Sequence, residues 1–293
     1  MNTQSIANEP AVWRKLSHFG RFRFAGADAA TLLHHLTTND IKGLKPGSAC
    51  ETVLINHKGR VLDWLTVLRR DDDFLVITSP NRRAMLKAHA ERFILFRQDV
   101  KIEDITDDAA MHGVFWPQAA ALLPENAPHL ATRRLPGGGF FVFGDIPVSE
   151  PLCDDETYNL LRVEAGLPVT GLELTESINP WEAGLDFAIS LNKGCYNGQE
   201  VIARLHTYKK IKQGLMGLKL ERAIPMAQLA AAPVKLQSGG RDAGFITSSV
   251  QSPRFGAIAL GFVRGDYQAV GQGLTALSPD DAQVATVCEL PFG

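Results

Sequence analysis

Two hydrophobic periodicities alternate along the first two thirds of the chain. Apolar residues at helical spacing follow Asp28, a favourable N-cap, and predict a helix over residues 29–36. Short apolar or alternating runs bounded by Gly, Pro and Asp predict strands at residues 19–24, 50–56, 60–69, 74–78, 99–105, 111–116 and 140–143. Further helices are expected at residues 79–93, 117–123 and 154–164, and residues 124–136 are expected to form a loop.

The pattern changes after about residue 212. Short apolar strands separated by Gly and Pro turns are predicted at residues 215–220, 234–236, 244–247, 257–263 and 284–290, which is typical of an all-β barrel or sandwich. We therefore expect an α+β protein with antiparallel sheets. Residues 1–208 would form its first domain and residues 209–293 a C-terminal β-barrel domain.

Composition narrows the class of protein further. A net charge of -2 gives no strong signal for nucleic acid or for a membrane surface. Residues 1–10 lack the features of a signal peptide, and no apolar run approaches the length of a membrane span. The four cysteines contain no C-x-x-C pair, so we expect reduced thiols in a cytoplasmic protein and no metal site.

The greatest concentration of reactive groups lies in one octapeptide, residues 193–200. It reads Lys193-Gly194-Cys195-Tyr196-Asn197-Gly198-Gln199-Glu200. Its glycines allow sharp turns, and the apolar run after it could be a helix or a strand. Next to a helix N-terminus, the helix dipole and Lys193 would both favour the thiolate of Cys195. The alternative is a structural turn around a buried, inert cysteine.

The octapeptide resembles the signature of the YgfZ family, folate-binding relatives of the glycine-cleavage T-protein. Similarity to the T-protein family extends from about residue 17 to the end of the chain, through segments at residues 24–41, 161–168, 179–185 and 252–261. The resemblance implies a T-protein-like folate-binding domain of two α+β lobes, followed by a Greek-key barrel, around a central opening.

The same resemblance implies a function. The protein would bind tetrahydrofolate or another reduced folate and support the synthesis or repair of iron–sulfur enzymes. Its partners would be iron–sulfur client or assembly proteins, and the chemistry would run through Cys195. Lys193 would lower the pKa of that thiol. The remaining residues of the loop, Gly194, Tyr196, Gly198, Gln199 and Glu200, would order it.

Four residues in the resembling segments are candidates for the folate pocket: Asn39, Asp63, Arg162 and Glu164. The alternative for at least one of Arg162 and Glu164 is an internal ion pair or a helix cap, and the alternative for Asn39 is a helix C-cap. Trp64 stands where T-proteins have the second acid of a pair, either as a stacking surface or as a core residue. Two other functions therefore remain: a folate-dependent aminomethyltransferase, and a binding module without chemistry at Cys195.

Overall fold

The first lobe is built on a five-stranded antiparallel sheet. The structure is a computed structural model, and it describes residues 11–116, 118–146, 148, 152–278 and 281–293. In spatial order the sheet contains β3 (Ala49–Ile55), β4 (Val61–Arg69), β5 (Asp73–Ile77), β2 (Arg21–Ala25) and β6 (Lys101–Asp104). Every neighbouring pair of strands in it is antiparallel.

Two helices cover one face of this sheet. Helix α1 (Ala29–Leu36) and helix α2 (Arg83–Glu91) bury their apolar stripes against Phe22, Phe24 and other residues of the sheet. Asp28 is the N-cap residue of α1, as predicted, but its side chain makes no cap bond: its Oδ2 accepts the N–H of Asp99 at 2.9 Å.

The second lobe contains a four-stranded sheet and one helix. Its strands are β1 (Val12–Lys15), β7 (Met111–Phe115), β9 (Gly139–Phe143) and β8 (His129–Thr132), again antiparallel throughout. Helix α3 (Asp155–Glu164) is capped by Asp154, which accepts the N–H of Thr157 at 2.8 Å. The two lobes share a core, because Leu75 and Ile77 of the first sheet pack with Phe115 and Phe141 of the second.

Two strands of this lobe were not predicted. Strand β8 lies inside the segment predicted as a loop, and β1 was not assigned. Each has four residues, and each lies at an edge of the sheet. Neither strand alternates apolar and polar residues, so the sequence carries no strand period at these positions. The predicted helix over residues 117–123 is a 3₁₀ turn (Ala119–Leu122), and residue 117 itself lies outside the described residues.

The C-terminal residues form a closed six-stranded barrel, so the predicted fold class is confirmed. Around it run β10 (Gln213–Leu220), β13 (Gly256–Arg264), β12 (Arg241–Ser252), β11 (Val234–Ser238), β14 (Gly273–Ser278) and β15 (Asp281–Cys288). Strand β14 and the six-residue helix α5 (Met226–Ala231) were not predicted from the sequence. Closure leaves the barrel without a free edge strand.

The barrel is joined to the second lobe through helix α3. Val163 of α3 packs with Ile258, Leu260 and Phe292 in a buried apolar cluster. The N–H of Phe292 also donates to the carbonyl of Glu164 at 3.0 Å. Among the helices that the structure describes, none combines the length and the apolar character that crossing a bilayer requires.

Candidate functional site

A cavity of about 540 Å³ lies between the two lobes, and its wall combines aromatic rings with cations. Phe19, Trp64 and Tyr158 supply the rings, and the cations are Arg14, Arg134 and Arg162. Asp155 also lies on the wall, and its Oδ1 accepts a hydrogen bond from Arg14 at 2.5 Å. A volume of 300–1,000 Å³ is ordinary for a small-molecule site. The wall therefore suits a ligand that has flat rings and at least one anionic group.

Asp63 lies on β4 directly behind this wall and is fully buried. Its Oδ1 accepts the N–H of Trp64 at 2.8 Å and the hydroxyl of Thr170 at 3.1 Å. Its Oδ2 accepts the N–H of Ser79 at 3.1 Å and the hydroxyl of Thr78. Four internal donors therefore surround the carboxylate, and Ser79 and Thr170 stand between it and the cavity.

Arg134 is a wall residue that the sequence analysis missed. Its guanidinium is buried and donates to Thr66 Oγ1 at 3.2 Å, to the carbonyl of Ile77 at 2.9 Å and to Ser79 Oγ at 3.0 Å. It also lies 6.0 Å from the centre of the Trp64 ring. Burial lowers the pKa of Arg134, and the field of Asp63 acts in the opposite direction. Ser79 thus links the buried cation to the buried anion.

Arg162 reaches the cavity, but its guanidinium is engaged by the protein. It donates to Asn159 Oδ1 at 2.9 Å, to Glu173 Oε2 at 3.2 Å and to Ser248 Oγ at 2.6 Å. Glu173 is fully buried and also accepts the hydroxyl of Thr247 at 2.8 Å. Because Thr247 and Ser248 belong to β12, this network fastens α3 to the barrel.

Glu164 faces the barrel as well. Its Oε1 accepts the hydroxyl of Ser252 at 2.6 Å, and its Oε2 lies 3.4 Å from Arg254 Nη1. Arg162 and Glu164 therefore each form an internal ion pair, Arg162 with Glu173 and Glu164 with Arg254, which is the alternative to a role in folate binding. A ligand role for either one stays a prediction.

Asn39 borders a different cavity, of about 480 Å³, beside Cys50 and Glu51. Its side-chain amide donates to the carbonyl of Glu51 at 2.9 Å, and its Oδ1 accepts the N–H of Asp40 at 2.9 Å. The four folate candidates consequently do not meet at one point: Arg162 lines the first cavity, Asp63 lies behind its wall, Asn39 lines the second cavity, and Glu164 faces the barrel.

The octapeptide lies between the end of α1 and the turn that joins β3 to β4. The run after it is a helix, α4 (Gln199–Thr207), with Gly198 at the N-cap. Cys195 precedes that cap by three residues and is exposed. Exposure rules out the alternative of a buried structural cysteine at this position.

Lys193 is buried and serves as a cap for α1. Its ammonium donates to the carbonyls of His34 at 2.5 Å, Thr37 at 2.6 Å and Asn39 at 2.8 Å, and it lies 4.6 Å from the centre of the Tyr196 ring. Burial lowers the pKa of Lys193 to about 7. Its donors are thus committed to α1, and an effect of its charge on the Cys195 thiol stays a prediction.

The two glycines of the octapeptide differ in their surroundings. Gly198 has a φ of 78°, and a Cβ there would meet the carbonyl oxygen of Asn56 at 2.6 Å. Gly194 has no left-handed φ, and a Cβ there would find only His34 Nε2, at 3.7 Å. Only Gly198 therefore requires glycine for the turn.

The remaining side chains of the octapeptide divide between the interior and the surface. Gln199 Oε1 accepts the N–H of Tyr196 at 3.2 Å, and the N–H of Asn197 donates to the carbonyl of His35 at 2.8 Å. Tyr196 is buried, which raises its pKa to about 12, whereas Glu200 is exposed in the first turn of α4. Hydrogen bonds to His35 and within the loop therefore hold its backbone, whereas Cys195 and Glu200 are exposed to solvent.

A second thiol offers a contrast to Cys195. Cys50 lies on β3 at the wall of the second cavity, and burial raises its pKa to about 12. A thiol held in the protonated form is a poor nucleophile and a poor metal ligand. Among the residues that the structure describes, no group of three or more His, Cys, Asp or Glu side chains is placed to hold a metal ion.

Comparisons with known proteins agree with this architecture. Residues 7–136 match the GCVT N-terminal domain, and residues 213–292 match the glycine cleavage T-protein C-terminal barrel domain. The fold is similar to that of the glycine cleavage system aminomethyltransferase T from Bartonella henselae. The TM-score is 0.80 at 20% identity, over 99% of this chain and 88% of that one.

Proteins with similar sequences have related names. A chloroplastic protein of Arabidopsis thaliana, named a "putative transferase", is 29% identical over 89% of this chain and 67% of its own length. An aminomethyltransferase of Saccharopolyspora erythraea is 28% identical over 94% of this chain and 85% of its own length. With both domains matched in order and the fold shared, the chain belongs to the superfamily of the glycine cleavage T-protein.

Proposed function

We propose that this protein binds a reduced folate in the cavity between its two lobes. The observation that carries the proposal is the wall of that cavity, where three aromatic rings and three guanidinium groups surround about 540 Å³. A folate combines a flat pterin, a benzoyl ring and an anionic glutamate tail. Rings can stack on the first two, and a guanidinium can bind the carboxylates of the third.

Calorimetric titration with tetrahydrofolate tests this proposal. We expect a dissociation constant in the micromolar range or weaker, which corresponds to a binding free energy of about -8 kcal/mol or less favourable. Arg14→Met removes a cation from this wall and should weaken binding about tenfold, whereas Asn39→Ala alters the second cavity and should leave the affinity unchanged. Absence of heat at millimolar ligand, with no rise in melting temperature, would refute the proposal.

Aminomethyl transfer to the bound folate is the first candidate for the chemistry of this site. Its support is the set of relatives named aminomethyltransferase. Two observations count against it. The Asp63 carboxylate already accepts four internal hydrogen bonds, and by its resemblance to T-proteins this chain has Trp64 where they have a second acid. Four hydrogen bonds use the acceptor positions of this carboxylate, and Ser79 and Thr170 separate it from the cavity, so it has no free oxygen to contact the folate.

A transfer assay decides this candidate. The protein is mixed with an aminomethyl-lipoyl carrier protein and tetrahydrofolate, and methylenetetrahydrofolate is measured. Turnover near about 1 per second, lost in Asp63→Asn, would establish aminomethyl transfer. Product at the background rate, from protein that binds folate in the calorimeter, would exclude it.

Support of iron–sulfur enzymes through Cys195 is the second candidate. Its specific observation is an exposed thiol on a loop that is fixed by Lys193, Gly198 and Gln199. Exposure lets a sulfur atom meet the surface of another protein, and the fixed loop holds it in a defined position. Restored activity of iron–sulfur enzymes in a deletion strain is the readout. Wild-type protein should restore it and Cys195→Ala should not, whereas full restoration by Cys195→Ala would exclude this candidate.

A further inference from the structure

A third cavity, of about 460 Å³, adjoins the first one. Trp64 and Pro168 belong to the walls of both cavities. The rest of the third wall consists of apolar residues and glycines, with one exception, Arg133. Among the described residues that line this cavity, Arg133 is thus the only one that carries a charge. A ligand that extends past Trp64 from the first cavity would meet this guanidinium.

The guanidinium of Arg133 is not committed to the protein, in contrast to the three cations of the first cavity. Arg14 is paired with Asp155. Arg134 and Arg162 each donate three internal hydrogen bonds. Arg133 is exposed, and within the described part of the chain no acceptor bonds its guanidinium. A carboxylate on a ligand could therefore bind Arg133 without breaking an internal bond.

The carboxylates around the third cavity do not pair with Arg133. Five belong to residues that are next in sequence to its lining or bonded to it: Glu51, Glu164, Glu182, Asp186 and Glu289. Glu164 pairs with Arg254, and Glu182 lies 3.5 Å from Arg60. Asp186 and Glu289 are exposed and do not line the cavity. These charges weaken the positive potential of Arg133, but no direct ion pair among the described residues neutralises it.

Arg133 is nevertheless held in position. Its backbone N–H donates to Glu51 Oε1 at 2.7 Å, which ties it to strand β3 of the first lobe. Its guanidinium lies 4.5 Å from the centre of the Phe187 ring, and that ring lies 5.9 Å from the ring of Trp64. Stacking on a ring leaves the N–H groups at the rim of a guanidinium free to bind a carboxylate through two parallel hydrogen bonds. Phe187 thus links the wall of the first cavity to a preorganised cation.

A folate presents its groups in a matching order. Its pterin lies at one end, a benzoyl ring follows, and the carboxylates of the glutamate lie at the other end. We propose that Arg133 binds a glutamate carboxylate of the folate in the third cavity, while the pterin lies among the rings of the first cavity. The protein would then select folates over pterins that lack the glutamate. The inference rests on the folate binding proposed above, and its test separates the two.

Titration with two ligands tests the role of Arg133. Tetrahydrofolate carries the glutamate, and 6-methyltetrahydropterin lacks it. Arg133→Met should weaken tetrahydrofolate at least about tenfold, because a hydrogen bond to a charged group is worth that much or more. It should leave the affinity for 6-methyltetrahydropterin unchanged. Arg133→Lys should retain part of the affinity for tetrahydrofolate, and Arg241→Met, which changes an exposed arginine of the barrel, should retain all of it.

Two bulky substitutions test where the glutamate lies. Leu215→Phe fills part of the third cavity, and Ala131→Leu fills part of the second cavity, which Arg133 also lines. We expect Leu215→Phe to weaken tetrahydrofolate without weakening 6-methyltetrahydropterin, and Ala131→Leu to alter neither affinity. The reverse pattern would overturn the placement of the glutamate in the third cavity.

The same titrations separate this inference from the proposed binding of folate. Equal affinity of the wild-type protein and Arg133→Met for tetrahydrofolate would overturn the role of Arg133 and leave folate binding intact. Equal losses for both ligands in Arg133→Met would also overturn it, because they would indicate a changed cavity rather than a lost contact with the glutamate. Binding of neither ligand by the wild-type protein would overturn both proposals. The rise in melting temperature at millimolar ligand gives the same comparison where binding is too weak for calorimetry.

Discussion

The wall of the first cavity and the octapeptide use their polar side chains in opposite ways. Asp63 behind the wall accepts four hydrogen bonds and Arg162 in the wall donates three, all to partners within the protein. In the octapeptide, Lys193 is equally committed, but Cys195 beside it is exposed. We therefore expect changes at the wall to alter stability, and changes at the tip of the octapeptide to alter function with little effect on stability.

The largest effect should come from breaking the buried ion pair. Arg162→Ala leaves Glu173 charged and without its cation, which typically costs about 3–5 kcal/mol in the free energy of unfolding. Denaturant unfolding measures it, with Glu200→Ala as an exposed control expected within about 0.5 kcal/mol. The double variant Arg162→Ala with Glu173→Ala should lose less than the sum of the single losses. A loss below about 1 kcal/mol for Arg162→Ala would contradict a fastening role for this network.

The two glycines of the octapeptide should differ in how much stability is lost when each is replaced by alanine. Gly198→Ala must adopt a left-handed conformation and move the Cβ away from the carbonyl of Asn56, so we expect a loss of about 1–2 kcal/mol or more. Gly194→Ala meets neither obstacle and should stay within about 0.5 kcal/mol. Thermal melts of the two variants make the measurement. Equal losses would mean that the loop is not fixed at Gly198.

A smaller effect, on the pH dependence of the free energy of unfolding, is expected for Lys193. Because burial lowers its pKa from 10.5 to about 7, the unfolded chain binds more protons than the folded chain between those values. The contribution of Lys193 to the free energy of unfolding is therefore least favourable below about pH 7 and rises as the pH increases toward 10.5. Lys193→Met should lack this rise. If the melting temperatures of the wild-type protein and of Lys193→Met changed with pH in parallel, the Lys193 ammonium would not be desolvated.

The smallest change in stability is expected for Cys195→Ala, within about 0.5 kcal/mol, because the side chain is exposed. In the wild-type protein, the Cys195 thiol should instead be distinguished by its high reactivity. At about pH 8, a thiol with the pKa of Cys50 is ionised in roughly one molecule in 10⁴, so alkylation should reach Cys195 long before Cys50. Mass spectrometry of a timed alkylation assigns the order. Faster modification of Cys50 would contradict the expected difference in reactivity between the buried and the exposed thiol.

The fold was largely predictable from the sequence because most elements carry a strong hydrophobic period. The helix over residues 29–36 and the long strand near residues 60–69 are examples, and both occur close to the predicted bounds. Strands β1 and β8 were missed because neither alternates apolar and polar residues, whereas β6, which is equally short, lies in the alternating run at residues 99–105.

The two sites were predictable to different degrees. The octapeptide is continuous in sequence, so its reactive groups can be recognised together from the order of residues alone. The cavity wall is assembled from β1, β4, the segment after β8 and helix α3, and no local pattern reports which side chains meet there. The bonding of Arg162 to Glu173 and of Asp63 to Ser79 is equally non-local. Such contacts depend on tertiary packing, which hydrophobic periodicity does not specify.

The cap that Lys193 places on α1 has a consequence for how the chain folds. Its bond to the carbonyl of His34 joins residues that are 159 positions apart. Closing so long a loop costs chain entropy before any contact repays it, and folding slows as contacts become more distant in sequence. The octapeptide should therefore acquire its native geometry late, after both lobes have formed. Until then its thiol is carried on a flexible chain and is open to oxidation or mispairing.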